Sequence, residues 1–495
     1  MLKNVVFDLD GTLWQTTESY VYAYHQLCAF YGIVEKVSDE VVKTYLGVRL
    51  DKLLNELFPT VEDKHVLAYR ALGYSVEYLM QHPKDCCFDG VKELLEKLHK
   101  NYDVYIVSNC LKEYVEAFLK ISGTQEYVKA FYTIEFGEKS QHIQKIASLH
   151  SDEDKTLFVG DCDDDYLSVV DHYQTIFTYA TYGYKPCEKY DYKIAKPLEL
   201  LSVIEKLAVK ERQLQGKKYR TFSKGDNQIT LMHNQNGTSY FGFVQHIDED
   251  IERVIEDMKA EFQTQKNAGI TQELIGPMDG NTFYNYRFAV NHFDIKFYPD
   301  CNNEEEIVDI FQRHGFSFRQ HYVSTIATVN ERMWKLSKRA KMPQGYWVKV
   351  VSGKEAFEYL DAIYEVTIDA FSDADYYEEI NKKDFVELYM RNIEAVSPDV
   401  VLIFDKEELV GYNFCYQDPL KRYYVCKTTA IKKANRNKSL IMVMVDYSYS
   451  LLVEKGYQYA LHHFQNDRTK TLHAIFRGHE VLQKRYALME WKGEK

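Results

Sequence analysis

Two carboxylates set two residues apart, Asp8 and Asp10, are the chain's first candidate chemistry. They close the stretch NVVFDLDGTL at residues 4–13, where the apolar run Val5-Val6-Phe7 has the character of a strand buried on both faces of a parallel sheet. The rim beyond such a strand is where open α/β sheets bind ligands. One carboxylate at that rim can attack a phosphoryl group while its neighbour carries the proton. Taken alone, Asp-x-Asp-Gly also describes an ordinary turn after a strand.

Three further strand ends supply what such a site needs. Residues 103–109, DVYIVSN, end in Ser108-Asn109, a hydroxyl and a following N–H able to hold phosphate oxygens. Lys139 opens the helical pattern in FGEKSQHIQKI, and a cation there balances nucleophile and phosphate together. TLFVGDCDDDYLSVV ends another apolar run with Asp161 and, four residues later, Asp165, a hard oxygen set suited to Mg²⁺. Singly, these read as a helix cap, a solvated charge and a capping turn. In this order, each just after a buried strand, they read as one site.

The set resembles the haloacid dehalogenase phosphohydrolase superfamily over residues 1–208. The resemblance implies a Rossmann-like core with catalytic residues Asp8, Asp10, Ser108 and Lys139. Asp8 would become an aspartyl-phosphate. Asp10 would protonate the leaving oxygen and then activate water. Mg²⁺ would be held by Asp8, the Asp10 carbonyl and Asp161, with Asp165 as ligand or support. Gly11, Thr12, Ser108, Asn109 and Lys139 would surround the substrate phosphate. The superfamily's carbon–halogen enzymes lack a proton-handling Asp at the place of Asp10, so its presence favours phosphoryl chemistry. Cys162 departs from relatives, which often carry Ser or Thr there.

Residues 15–85 hold three stretches with apolar residues three and four apart. In the resembling family an insertion here is a helical cap that excludes water and reads the substrate beyond its phosphate. The arrangement is similar to the phosphoglycolate-phosphatase-like branch. Trp14, Tyr20, Tyr22 and Tyr24 either line the cap pocket or pack the cap helices together.

The helical pattern PLELLSVIEKLAVK runs into the polar stretch KERQLQGKK, which predicts a boundary near 209–218. The order of strands and helices over 341–495 is similar to the GNAT acetyltransferases, which hold acyl-CoA pyrophosphate on N–H groups at a helix start. Arg436, Asn437, Lys438 and Ser439 stand where that loop belongs, ahead of the helical stretch SLIMVMVDYSYSLLVEKG, and Asn466 stands where relatives often have Asn. The usual glycine places hold Ser439 and Ile441. A short helix is predicted around TLHAIFRG and a last strand at KRYALMEW. Residues 219–340 resemble the partial first lobe of tandem GNAT proteins, predicted as a supporting lobe packed on 341–495. The expected fold class is α/β with a helical cap, followed by α+β GNAT-like tandem lobes.

At 495 residues, two to four domains are expected. A formal charge of −13 and the lack of a basic run argue against nucleic acid as a partner. No apolar stretch reaches the roughly 18 residues of a membrane span, and no secretory pattern precedes the first strand. Nine cysteines without a metal spacing suit a reducing cytoplasm. The expected function is a Mg²⁺-dependent phosphatase of a small phosphoester, fused to an N-acyltransferase using acetyl-CoA or another acyl-CoA and an amine acceptor. The residues also fit a phosphatase with a non-catalytic GNAT-like binding or dimerising module, a phosphomutase, or transfer of a phosphorylated acyl unit to a carrier thiol. The carrier-transfer domains have Asn at the place of Gly11.

Overall fold

The apolar runs form strands because each alternates its side chains between two covered faces. A computed structural model describes residues 1–494 apart from 35, 47–49, 84–85, 152–153, 215, 235–236, 247, 298–302, 421, 437–438 and 467–476. The chain forms two compact units, residues 1–231 with 245–258, and residues 232–244 with 259–495.

The first unit begins with β1 (Leu2–Phe7), then helices α1 (Thr17–Tyr31), α2 (Asp39–Lys43), α3 (Leu50–Leu57) and α4 (Lys64–Gln81). There follow α5 (Val91–Leu98), β2 (Asp103–Ser108), α6 (Lys112–Ser122), β3 (Ala130–Thr133), α7 (Lys139–Ala147), β4 (Lys155–Gly160), α8 (Asp163–Leu167), β5 (Thr175–Ala180), β6 (Tyr192–Ile194) and α9 (Leu200–Leu214). The strands form one sheet in the order β3-β2-β1-β4-β5-β6, every neighbouring pair parallel. Strand order reverses between β1 and β4, and a crevice opens at such a switch point beyond the carboxyl ends. Val5, Phe7, Ile106 and Val159 pack in one core on one face, while Val6, Val107 and Phe158 share another on the opposite face.

Helices α1–α4 carry their own core, with Leu27, Val42, Leu54, Phe58 and Leu67 buried together. Trp14 is not part of it. Its ring lies 4.8 Å from Tyr114 and 5.3 Å from Phe118, both on α6. Tyr22 meets Tyr78, tying α1 to α4. The predicted linker region falls between the end of α9 and β7 (Lys218–Lys224), which with most of β8 (Asn227–His233) belongs to the first unit.

The second unit contains β9 (Thr238–Gln245) and the latter part of α10 (Ile251–Asn267), then β10 (Glu273–Gly276), β11 (Phe288–Ala289), α11 (Glu305–Arg313), β12 (Ser317–Thr328) and α12 (Glu331–Ser337). It continues with β13 (Tyr346–Ser352), α13 (Leu360–Phe371), α14 (Lys382–Val396), β14 (Asp399–Asp405), β15 (Glu408–Gln417), β16 (Tyr424–Ile431), α15 (Leu440–Glu454), β17 (Tyr459–Asn466) and β18 (Glu480–Trp491). Its sheet runs β13-β14-β15-β16-β17-β12-β18-β10-β9. β16 and β17 are parallel, paired only from Tyr424–Ala460 to Cys426–His462.

β12, from the 219–340 stretch, lies between β17 and β18 of the 341–495 stretch and is antiparallel to both, so the two stretches share one sheet. β12 is long and mostly buried from Gln320 to Ala327. A buried strand needs ladder partners on both edges for its N–H and C=O groups, and β17 and β18 supply them. The helix predicted around TLHAIFRG lies largely outside the described residues.

Candidate active site

Asp8 directly follows β1, Asp161 directly follows β4, and Ser108 ends β2, so three neighbouring strand ends converge on one crevice. The Asp8 N–H donates to the Val159 carbonyl at 2.9 Å, which locks the two central strand ends together. Lys139 is the first residue of α7. Its Nζ donates to Asp8 Oδ1 at 2.7 Å and to Asp165 Oδ1 at 2.7 Å. Asp8 is 6 % exposed, and Asp161 and Asp165 are each 1 % exposed. The second Asp165 oxygen accepts from the Asp161 N–H at 2.9 Å and from the Cys162 thiol at 3.2 Å. Both Asp165 oxygens are therefore engaged in positioning Lys139 and the Asp161 turn. Ligand atoms of Asp161, Cys162 and Asp165 lie within 4.8 Å of one another.

Asp10 points to a different partner set. Its Oδ1 accepts from the Tyr114 hydroxyl at 3.0 Å. Burial pushes its carboxyl up to about 6, against hydrogen bonds from Tyr114 and Thr16 that favour the ionised form. Burial also raises Asp8 to about 7, opposed by Lys139, and Asp161 to about 8, with the neighbouring Asp165 and Asp8 charges adding to the rise. Five carboxylates line the cavity, Asp8, Asp10, Asp161, Asp164 and Asp165, against the one cation Lys139 among the described lining residues. Such a site is short of positive charge.

The cavity, about 120 Å³, reaches from these strand ends into the cap. Ser108, Asn109 and Lys139 line it, with Tyr20 and Tyr24. Gly11 and Thr12 are not among its lining residues. The Gly11 N–H donates to the Trp14 carbonyl and the Thr12 N–H to the Leu9 carbonyl, so both close their own turn. The Thr12 side chain is wholly buried. Gly11 has a different necessity: its φ is +82°, and a Cβ there would lie 2.2 Å from Asp161 Oδ2.

Two positioning residues, Tyr184 and Tyr114, were not legible in the sequence. The Tyr184 N–H donates to Asp161 Oδ2 at 2.6 Å, and its hydroxyl bonds Thr16 at 2.6 and 2.8 Å. Tyr114 holds Asp10. The available signal was Tyr182-Gly183-Tyr184 just after β5, a fourth strand end beside the switch point.

In the second unit, Arg436 is paired with Asp373 at 2.9 and 3.2 Å and also bonds the Ala370 carbonyl. Ser439 precedes α15 with φ +57°, a left-handed conformation that favours glycine. Asn466 ends β17 opposite Tyr322 of β12. Asn437 and Lys438 lie outside the described residues.

A family model described as haloacid dehalogenase-like hydrolase matches residues 5–172. The pyrophosphatase PpaX of Bacillus mycoides is 24% identical over 216 residues, covering 42% of this chain and 98% of its own. PpaX of Bacillus cereus is 25% identical over 166 residues, covering 32% and 74% respectively. Among solved structures, a haloacid dehalogenase-like family hydrolase from Streptococcus pneumoniae matches with 21% identity and a TM-score of 0.34, covering 41% of this chain and 98% of that one. With crevice geometry and family match on the same residues, residues 5–172 are a haloacid dehalogenase-like hydrolase domain.

Proposed function

We propose that residues 1–208 hydrolyse a small organic phosphoester through an aspartyl-phosphate on Asp8. The observation that carries this reading is the Lys139 ammonium shared between Asp8 and Asp165 at the floor of a cavity, at 2.7 Å from each. The Asp8 carboxylate attacks phosphorus, oriented by the Lys139 ammonium on its Oδ1. Asp10 donates a proton to the leaving oxygen and then takes one from the water that cleaves the acyl-phosphate. Tyr114 holds the Asp10 carboxyl through both steps. Lys139, Ser108 and Asn109 neutralise and orient the phosphoryl oxygens. The name of the pyrophosphatase relatives supports phosphoryl chemistry in this part of the chain.

The donor set fits Mg²⁺. Asp8 Oδ2 and Asp161 Oδ1 are hard oxygens on buried carboxylates with no hydrogen bond among the described residues, and burial holds both groups well above their ordinary range. Asp8, the Asp10 carbonyl and Asp161 would hold the ion, with Asp165 as support because its oxygens are already engaged. When bound, the ion supplies the positive charge that keeps these carboxylates ionised beside a phosphate. The test is phosphate release from a panel of phosphoesters with and without chelator. Aspartyl-phosphate trapped on Asp8 in the Asp10→Asn variant supports the route. Isomerised phosphoester with no free phosphate would instead support the mutase reading.

For residues 341–495 we propose an acyl-CoA-dependent N-acyltransferase acting on an amine, with 219–340 as its degenerate companion. The support is the element order β13 to β17, the short parallel pairing of β16 and β17, and the place of Arg436 and Ser439 ahead of α15. Calorimetry with acetyl-CoA tests it. Absence of heat at millimolar ligand would leave a non-catalytic GNAT-like module.

A further inference from the structure

We propose that the phosphoester has a small, apolar, uncharged leaving alcohol, carrying no second anionic group. This rests on the phosphatase reading above and names its substrate class. Beyond the carboxylates and Lys139, the cavity wall contributed by the cap is hydrocarbon: Ala23, Leu27, Leu54, Leu57, Phe58 and Ala71 all line it. The polar groups in that wall are mostly engaged. The Ser75 hydroxyl donates to Ser19, which donates to the Thr16 carbonyl. The Tyr24 hydroxyl accepts from the Val37 N–H at 2.8 Å. The Tyr20 hydroxyl has no hydrogen bond among the described residues and lines the same cavity as Asp10. It offers one donor near the ester oxygen.

A carboxylate or second phosphate on the leaving group would meet this wall without a described cation to receive it. An ionised group buried against leucine and phenylalanine loses its hydration and gains nothing in exchange. It would also face four carboxylates at the cavity floor besides the nucleophile. An alkyl or aryl group loses unfavourable contact with water in the same place. The cavity, about 120 Å³, is on the scale of a single ring or a short branched chain.

The experiment compares kcat/KM of the full chain with Mg²⁺ on isobutyl and benzyl phosphate against 2-phosphoglycolate and pyrophosphate. The expected outcome is a preference of about 10²-fold for the apolar esters, the scale on which an unpaired buried charge is rejected. Equal or better turnover of the two anionic compounds, lost in Asp8→Asn, overturns the inference and leaves the phosphatase reading standing. Phosphate release from no compound, or release that survives Asp8→Asn, overturns the phosphatase reading itself. Ala71→Arg puts a guanidinium into the wall and should shift the ratio at least about tenfold towards 2-phosphoglycolate. Leu57→Lys, at a half-buried position, serves if Ala71→Arg does not fold. An unchanged ratio in a folded variant counts against the wall as the source of selectivity.

Discussion

Lys139 and Arg436 are both cations at or just before the start of a helix, and the protein uses them differently. Lys139 is about 10 % exposed and donates to two carboxylates, each itself almost wholly buried. Arg436 and its partner Asp373 are 43 % and 53 % exposed. In the first unit three buried carboxylates, Asp8, Asp161 and Asp165, outnumber the one cation beside them. In the second unit charge is already matched at the surface, where an ion pair contributes little and yields readily to a stronger anion. The contrast teaches that spacing alone does not make a site. Burial converts a group of charged side chains into a demand for a ligand of opposite charge.

The largest expected effect tests the buried cluster. Asp8→Asn should reduce phosphate release by roughly 10⁴-fold or more, because an amide cannot serve as the nucleophile. The measurement is initial rate with Mg²⁺, alongside a thermal melt to show a folded protein. Near-normal turnover in a folded variant would remove Asp8 from the chemistry.

Next comes the direct comparison of the two cations. Lys139→Met leaves Asp8 and Asp165 buried without their shared partner, which should destabilise the first unit by about 3–5 kcal/mol. Arg436→Met should change stability by less than about 1 kcal/mol. Urea unfolding of both variants decides it, and equal losses would break the comparison.

Lys427 sharpens the comparison from the other side. It is a cation of the second unit that lies near the Tyr389 and Phe414 rings, with no carboxylate partner among the described residues. Burial lowers its pKa from 10.5 to about 8. The unfolded chain therefore binds the proton more tightly, so the penalty is fully present below about pH 8 and fades as pH rises towards 10.5. Lys427→Met should stabilise the second unit at pH 7 by up to about 3 kcal/mol and flatten the rise in stability across that window. Denaturant melts at several pH values measure both.

The smallest effect is local. Ser439 holds a left-handed backbone before α15, so Ser439→Gly should stabilise by up to about 1 kcal/mol. If the loop binds the acyl-CoA pyrophosphate, the same change should tighten acetyl-CoA binding in calorimetry. Ser439→Glu should abolish that binding and leave phosphate release intact. Loss of phosphate release in Ser439→Glu would argue against separate sites.

Much of the first unit was legible in the sequence for one reason. A parallel sheet delivers the residues after each strand to the same edge, so Asp8, Ser108 and Asp161 were readable as a set from apolar runs alone. Lys139 was legible because the opening of a helix after such a strand returns to that edge. The cap was legible as amphipathic helices, and β13 to β17 as alternating strands flanking helical patterns. Other features depended on which distant segments meet. Gly11 and Thr12 were expected at the phosphate, yet their N–H groups close a local turn. Tyr114 reaches Asp10 across 104 residues and Tyr184 reaches Thr16 across 168, distances over which periodicity carries no information. The insertion of β12 between β17 and β18 was hidden for the same reason, since a strand's pattern states its burial but not its neighbours. The sequence by itself determined which chemistry the strand ends could perform. Tertiary structure decided how strongly that chemistry is held from water and that the wall facing it is hydrocarbon, because burial is a property of the packed whole.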